Sequence, residues 1–251
     1  MNRRLKQALL RVTLPKPMAA RHSEYSMVFS MDDEPSKPSR RLLDVALETI
    51  AAAKELRLDA LCARIPESVH INLWPGEQYR LLAALVQVMR PALVVEVGTG
   101  GGSSALSMLH TLPRDGKVVT FDVVPWQRLS RSECALDDAD FQNGRLTQHT
   151  DDVSHPEGFA KHRALFERAN LFVLDAAKDG RMEARLLDLL RRCSFHAAPV
   201  FVFDDIRFWN MLAIWRTLPW PKLDLTSFGH WTGTGLAEWT PAATSVTLMG
   251  T

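Results

Sequence analysis

From residue 93 onward, short apolar runs alternate with amphipathic stretches. Strands are predicted at 93–97, 117–122, 145–149, 171–174 and 199–203, several of them near-continuous apolar runs of the kind that fill a sheet covered on both faces. Helical periodicity occupies 104–112, 157–168 and 181–192 between them, and a further helix is expected at about Trp209–Leu218. Repetition of strand then helix implies an α/β chain with a doubly wound, mostly parallel sheet. Two last strand-like runs, 223–228 and 235–239, joined by Gly229-His230-Trp231-Thr232-Gly233, predict a C-terminal antiparallel hairpin and seven strands in all. Ser245–Met249 offers one more apolar run.

The chain before residue 93 reads differently. Residues 1–38 form an arm broken by Pro15, Pro17, Pro35 and Pro38. A helix is predicted from Ser39, with Leu43, Leu47, Ile50, Leu58, Leu61 and Ile65 near one face and Pro66 as its stop. A second helix runs from about Gly76 to Arg90, with Pro75 placed where a helix start tolerates it and Pro91 ending it. This divides the chain into 1–66, a basic arm plus helix, and 67–251, the main domain.

A hydrophobic content of 46% and a charged content of 24% belong to an ordinary globular chain. The net charge of +1 gives no footprint for nucleic acid. Cys62, Cys134 and Cys193 are scattered and form no CxxC pair, which argues against a disulfide framework and for a cytoplasmic protein. No apolar run approaches the roughly 20 residues of a membrane span. The arm carries Arg3, Arg4, Lys6, Arg11, Lys16 and Arg21 with no acidic partner before residue 24, so it suits either contact with an anionic surface (a membrane periphery or an acidic neighbouring subunit) or simple packing as a terminus.

The sharpest signal is Val94–Leu106, where a strand breaks into Gly98, Thr99, Gly100, Gly101 and Gly102 before a helix opening at Ser103 or Ser104. Glycines there imply a tight βα turn with a ligand close to the backbone. A dinucleotide fingerprint needs its third glycine at position 103, which is Ser. With Glu96 before the turn, the pattern instead resembles motif I of the class I S-adenosylmethionine (SAM) methyltransferases. In that reading Glu96 holds the ammonium end of SAM, and the N–H groups of the turn face its carboxylate. Asp122, at the end of the next strand, is placed to accept from the ribose hydroxyls. After the third strand, Asp151 or Asp152 either bonds the adenine amino group or serves its own turn.

Ligands of such sheets sit at the carboxyl ends of the strands. The fourth strand ends in Asp175, followed by Lys178, and the fifth in Asp204-Asp205. Three converging carboxylates repel unless a cation neutralises them, and all-oxygen ligation suits Mg²⁺.

The segments Glu96–Leu106, Leu174–Gly180 and Phe203–Ile206 together resemble the catechol and caffeoyl-CoA type O-methyltransferases over roughly residues 72–210. The resemblance implies metal ligation by Asp175, Asp204 and Asp205 and a base at Lys178, whose pKa a neighbouring metal would lower. Three positions depart from it: Ser103 for an aromatic residue, Asp205 for Asn, and Arg181 for Tyr. An Asp-Asp pair also resembles metal-dependent sugar O-methyltransferases. The expected reaction is methylation of a hydroxyl on a small acceptor, catechol-like or a sugar vicinal diol. His230 is an alternative base. Arg207 is placed to meet an acidic substrate group or Asp205. Five of the seven tryptophans lie after residue 208, as walls of an acceptor pocket, core, or contacts of a homodimer. The rival readings are a metal-independent methyltransferase, an NAD(P)-dependent oxidoreductase, and an idle SAM-binding subunit.

Overall fold

The computed structural model describes residues 37–64, 68–130 and 132–241. The basic arm and the run at 245–249 lie outside the described residues. Seven strands form one sheet: β1 (Leu93–Val97), β2 (Lys117–Phe121), β3 (Leu146–His149), β4 (Leu171–Leu174), β5 (Val200–Asp204), β6 (Lys222–Asp224) and β7 (Thr234–Glu238). Their order is β3-β2-β1-β4-β5-β7-β6. The first five run parallel, and β7 lies antiparallel between β5 and β6. This is the doubly wound, mostly parallel sheet that the alternating pattern implies, closed by an antiparallel hairpin.

Successive side chains along each strand enter opposite layers. Val94, Val118, Val173 and Val202 join the layer beneath helices α1 (Arg40–Glu55), α3 (Tyr79–Met89) and α4 (Ser103–Thr111). Val95, Val119, Phe172 and Phe203 join the layer beneath α5 (Pro156–Phe166), α6 (Arg181–Leu190) and α7 (Met211–Thr217). Burial on both faces is why β4 and β5 read as apolar runs up to the closing Asp204, and β1 as one interrupted only by Glu96.

The first helix departs from expectation twice. It stops at Glu55 and does not reach Pro66; only a short turn of helix, α2 (Asp59–Cys62), follows. Arg80, itself buried, donates 2.6 Å hydrogen bonds to the carbonyls of Ala53 and Lys54, while Asn72 Oδ1 accepts from Leu58 N–H. Arg80 thus caps the helix end that the local pattern leaves open, and Asn72 fixes the chain just beyond it. The buried face is also shifted. Leu42, Ala46, Thr49 and Ala53 are buried, whereas Leu43 and Leu47 are exposed. The helix packs on α3, which buries Ala83 and Ala84, and alanines on both faces let the axes approach where leucines would hold them apart.

The hairpin is also shorter than predicted. The run at 223–228 pairs only as far as Asp224, whose side chain accepts from Thr226 N–H and Oγ1 and turns the chain into a 3₁₀ segment at Thr226–Phe228. The late tryptophans divide: Trp215 and Trp220 are core, while Trp209 and Trp231 are about 70% exposed (70% and 71%).

Candidate active site

The glycine turn lies at the carboxyl end of β1, between the ends of β2 and β4. Gly98 N–H bonds Phe121 O, and Asp175 N–H bonds Val97 O. A Cβ on Gly98 would stand 1.8 Å from the carbonyl oxygen of Asp175, and one on Gly101 2.1 Å from that of Glu133. On Gly102 it would strike Leu136 at 2.3 Å. The chain's own segments thus fill the space that the sequence pattern assigned to a ligand. Gly100 alone of the four faces open space, with φ +46°.

Around that opening the cofactor-type residues are already bonded. Asp122 accepts from Gly100 N–H and Val124 N–H, both at 3.0 Å. Thr99 points inward to Thr120 at 2.8 Å. Ser104 donates to Glu96 Oε1, leaving Oε2, buried, with no partner among the described residues. Asp152 accepts from Ser154 N–H and Oγ and meets His155, so its carboxylate serves its own turn. Asp151 pairs with Lys161 and His162. Val123 and Val124, exposed directly after Asp122, form an apolar ledge that the strand-end reading had not singled out.

Burial raises the Glu96 carboxyl from its ordinary 4.5 to about 8, against the pull of the Ser104 and Thr120 hydroxyls. The folded chain therefore binds this proton more tightly than the unfolded chain. The associated stability is complete below the unfolded value and is lost as pH climbs toward 8, at no more than about 1.4 kcal/mol per pH unit. In calorimetric melts without cofactor, Glu96→Gln should flatten the decline of Tm between about pH 5 and 8. An identical slope in the variant would remove Glu96 as the source.

At the ends of β4 and β5 the three carboxylates do converge, and Lys178 sits among them. Its Nζ lies 2.8 Å from Asp175 Oδ1, 2.8 Å from Asp204 Oδ2, and in direct contact with Asp205 Oδ2. His230 Nδ1 stands 3.2 Å from Asp204 and 3.3 Å from Asp205, and Thr232 Oγ1 donates to Asp205. Lys178 and Asp205 both occupy left-handed backbone, φ 60° and 57°, unusual for side chains of that size. The Lys178 loop is held by buried Glu183, which accepts from the N–H groups of Lys178 and Gly180. The hairpin holds the other side, with Ile206 and Arg207 N–H bonding the carbonyls of Gly233 and Thr232.

Charge is nearly balanced within this cluster. Burial disfavours the Lys178 ammonium, but Asp175 and Asp204 outweigh it and hold its pKa above the ordinary lysine range. In the chain by itself Lys178 is thus a fixed cation, opposite to the direction expected of it beside a metal. Hydrogen bonds to Asp204 and Asp205 push His230 up to about 10. The same two cations depress Asp204 and Asp205 despite their burial. Asp175 is raised, by burial first and then by Asp204.

Several contributors carried no local signal. Gln78 Nε2 donates to Asp175 Oδ2 at 3.2 Å, and Glu77 lies 3.9 Å from His230. They arrive because Gly76 pairs with Gly229 and Trp231 across the hairpin. Thr232 and Glu183 were likewise missed, although Thr232 follows His230 by two positions. Arg207 pairs with Asp224.

Sheet order, glycine turn and strand-end carboxylates together define a class I SAM-dependent methyltransferase. The family model described as O-methyltransferase matches residues 52–206, more than half of the chain, and the chain belongs to the O-methyltransferase family. A methyltransferase from Geobacter sulfurreducens shares the fold at TM-score 0.51 and 16% identity, over 79% of this chain and all (100%) of that one. SAH-bound PaMTH1 from Podospora anserina shares it at TM-score 0.50 and 16% identity, over 78% of this chain and 88% of its own. No curated protein matches in sequence. No described helix is long and apolar enough to cross a membrane.

Proposed function

We propose that the enzyme moves the methyl group of SAM to one of two neighbouring hydroxyls on a catechol-like or sugar diol acceptor, assisted by a divalent cation. The observation that carries this reading is the seating of a cation, Lys178 Nζ, among Asp175, Asp204 and Asp205 beside the glycine turn. The three carboxylates already surround one positive centre at hydrogen-bonding distance. Carboxylate oxygens of Asp204 and Asp205 also lie within 4.8 Å of one another, close enough to share an ion.

The cofactor-side residues suit SAM. The open side of Gly100 gives its chain room, and the buried Oε2 of Glu96 suits an ammonium, whose charge would draw off the proton that burial holds there. Asp122 suits the ribose hydroxyls, and Val123 and Val124 an adenine face. Among Gly98, Thr99, Gly102, Ser104 and Asp152, the glycines and Ser104 shape the turn, Thr99 anchors it, and Asp152 holds the neighbouring loop.

A divalent cation held by Asp204 and Asp205 with Asp175 would bind both acceptor oxygens and acidify the one to be methylated. With that cation in place Lys178 would lose the interactions that keep its proton, release that proton to solvent, and then accept the proton of the acceptor hydroxyl at Nζ. The acceptor oxygen then forms its bond to the methyl carbon as the S–CH₃ bond breaks, its electron pair passing to sulfur. His230 remains protonated between Asp204 and Asp205 and orients them. Exposed Trp231 and Trp209 flank this end of the sheet and suit an apolar acceptor face.

A second reading rests on the same contact: Lys178 and His230 already neutralise the carboxylates, so the acceptor is methylated without a metal. Cys62, Cys134 and Cys193 form no disulfide, which suits a reducing compartment such as the cytoplasm.

Calorimetry with SAM and with NAD(H) tests the donor. Binding of SAM, and transfer of labelled methyl to a catechol or diol that EDTA stops and Mg²⁺ restores, is the expected result. Transfer that survives EDTA unchanged selects the metal-free reading. Binding of NAD(H) without SAM would overturn both.

A further inference from the structure

Away from the carboxylate cluster, the end of edge strand β3 and helix α5 bring together His149, Asp151 and His162. His149 and Asp151 are two residues apart at the strand end, and His162 is on the helix that follows. The imidazole rings of His149 and His162 lie 4.5 Å apart between centroids, and His162 Nε2 is 2.8 Å from Asp151 Oδ2. One ligand atom from each of the three lies within 4.8 Å of the others, and all three side chains are half-buried. We propose that these residues form a second metal site, for Zn²⁺ or a similar late first-row ion, separate from the acidic cluster.

Donor chemistry separates the two places. Two imidazoles and one carboxylate are the ligand set of three-coordinate protein sites for zinc, which complete a tetrahedron with water. Mg²⁺ prefers oxygen donors and suits the three aspartates instead. Neighbouring side chains already hold the three in place. Phe121 stacks on His149 at 5.4 Å and meets His162 edge-on at 4.8 Å, fixing both rings. Lys161 Nζ bonds Asp151 Oδ1 at 2.6 Å and leaves Oδ2 turned toward His162. The hydrogen bond between His162 and Asp151 marks the position a metal would occupy, in exchange for the ring proton. A bound ion would pin the end of β3 to α5, directly before the Asp152 turn.

The test is a Co²⁺ titration of the untagged, chelator-stripped chain in excess Mg²⁺, read by visible absorption. Expected is uptake of one Co²⁺ per chain with the intense bands of four- or five-coordination, and displacement by Zn²⁺. His149→Ala and His162→Ala should each abolish the bands, whereas Asp204→Ala should keep them. Should either alanine variant fail to fold, His149→Gln and His162→Gln serve instead. Absence of stoichiometric uptake overturns the proposal. Bands that persist in both histidine variants, or that vanish with Asp204→Ala, overturn it as well, since the ion would then lie in the acidic cluster.

Discussion

Gly98→Ala is expected to destabilise the enzyme by more than about 4 kcal/mol, or to prevent folding, while Gly100→Ala costs only about 1–2 kcal/mol. The new methyl on residue 98 would lie 1.8 Å from Asp175 O, 2.5 Å from its carbonyl carbon and 3.0 Å from Ala176 N. All three are backbone atoms, so no side-chain rotation relieves the clash. Asp175 N–H is bonded to Val97 O and Gly98 N–H to Phe121 O, which ties the turn to both neighbouring strand ends. Relief therefore requires parting β1 from β4, and φ +103° adds strain for any residue with a Cβ. Displacing Asp175 would also open the cage around Lys178. At Gly100 no atom lies within 4 Å of the added methyl, and only φ +46° is unfavourable. If the open side of Gly100 receives SAM, Gly100→Ala should weaken SAM binding more than it lowers Tm. Melts and SAM calorimetry on the two variants measure both quantities. Similar loss of Tm in the pair would contradict the packing account.

That contrast also bears on what the sequence could reveal. The strands were legible because burial on both faces leaves little choice of residue along Val94–Val97, Leu171–Leu174 or Val200–Phe203. The glycines were legible as a tight turn, but the reason for them was not. A neighbouring carbonyl and a ligand exclude a Cβ in the same way, and only coordinates tell Asp175 O from a cofactor. Local patterns misled where distant side chains decide the outcome. Arg80 caps α1, and alanines define the buried face that leucines suggested one position over. Asp224 ends a strand that alternation would extend. The strand-end rule located Asp175, Lys178, Asp204 and Asp205 because parallel strands deliver their carboxyl ends to one edge. Gln78 and Glu77 enter from an irregular segment joined to the hairpin by two backbone hydrogen bonds, a pairing with no sequence period. His149 and His162 were passed over for the same reason: a strand and a helix bring them together.

Removing Asp204 and removing Lys178 are expected to act very unequally on stability while both abolish most activity. Asp204 is buried, 2% exposed, and contacts both Lys178 and His230. Three carboxylates face two cations in this cluster. Glu77 stands 3.9 Å from His230 as a fourth, so Asp204→Ala moves the charges toward balance and Tm should change little. Activity should nevertheless fall by about 10²–10⁴, the usual worth of positioned acid–base chemistry, because the remaining groups no longer hold a cation and an acceptor hydroxyl together. Lys178→Ala leaves the carboxylates against His230 alone. An uncompensated buried charge costs about 3–5 kcal/mol, so this variant should melt well below the parent enzyme. Mg²⁺ should then restore part of the lost Tm in Lys178→Ala, because an ion that binds only the folded state stabilises it by mass action. It should do much less in Asp204→Ala, which lacks a ligand. Melts with and without Mg²⁺, beside methyl-transfer rates, separate the two readings of the cluster. Rescue of Lys178→Ala by Mg²⁺ favours a metal site that Lys178 fills in the ion's absence. Failure of Mg²⁺ to move Tm in either variant leaves Lys178 as the cluster's own permanent cation, and the metal-free reaction as the one this enzyme performs.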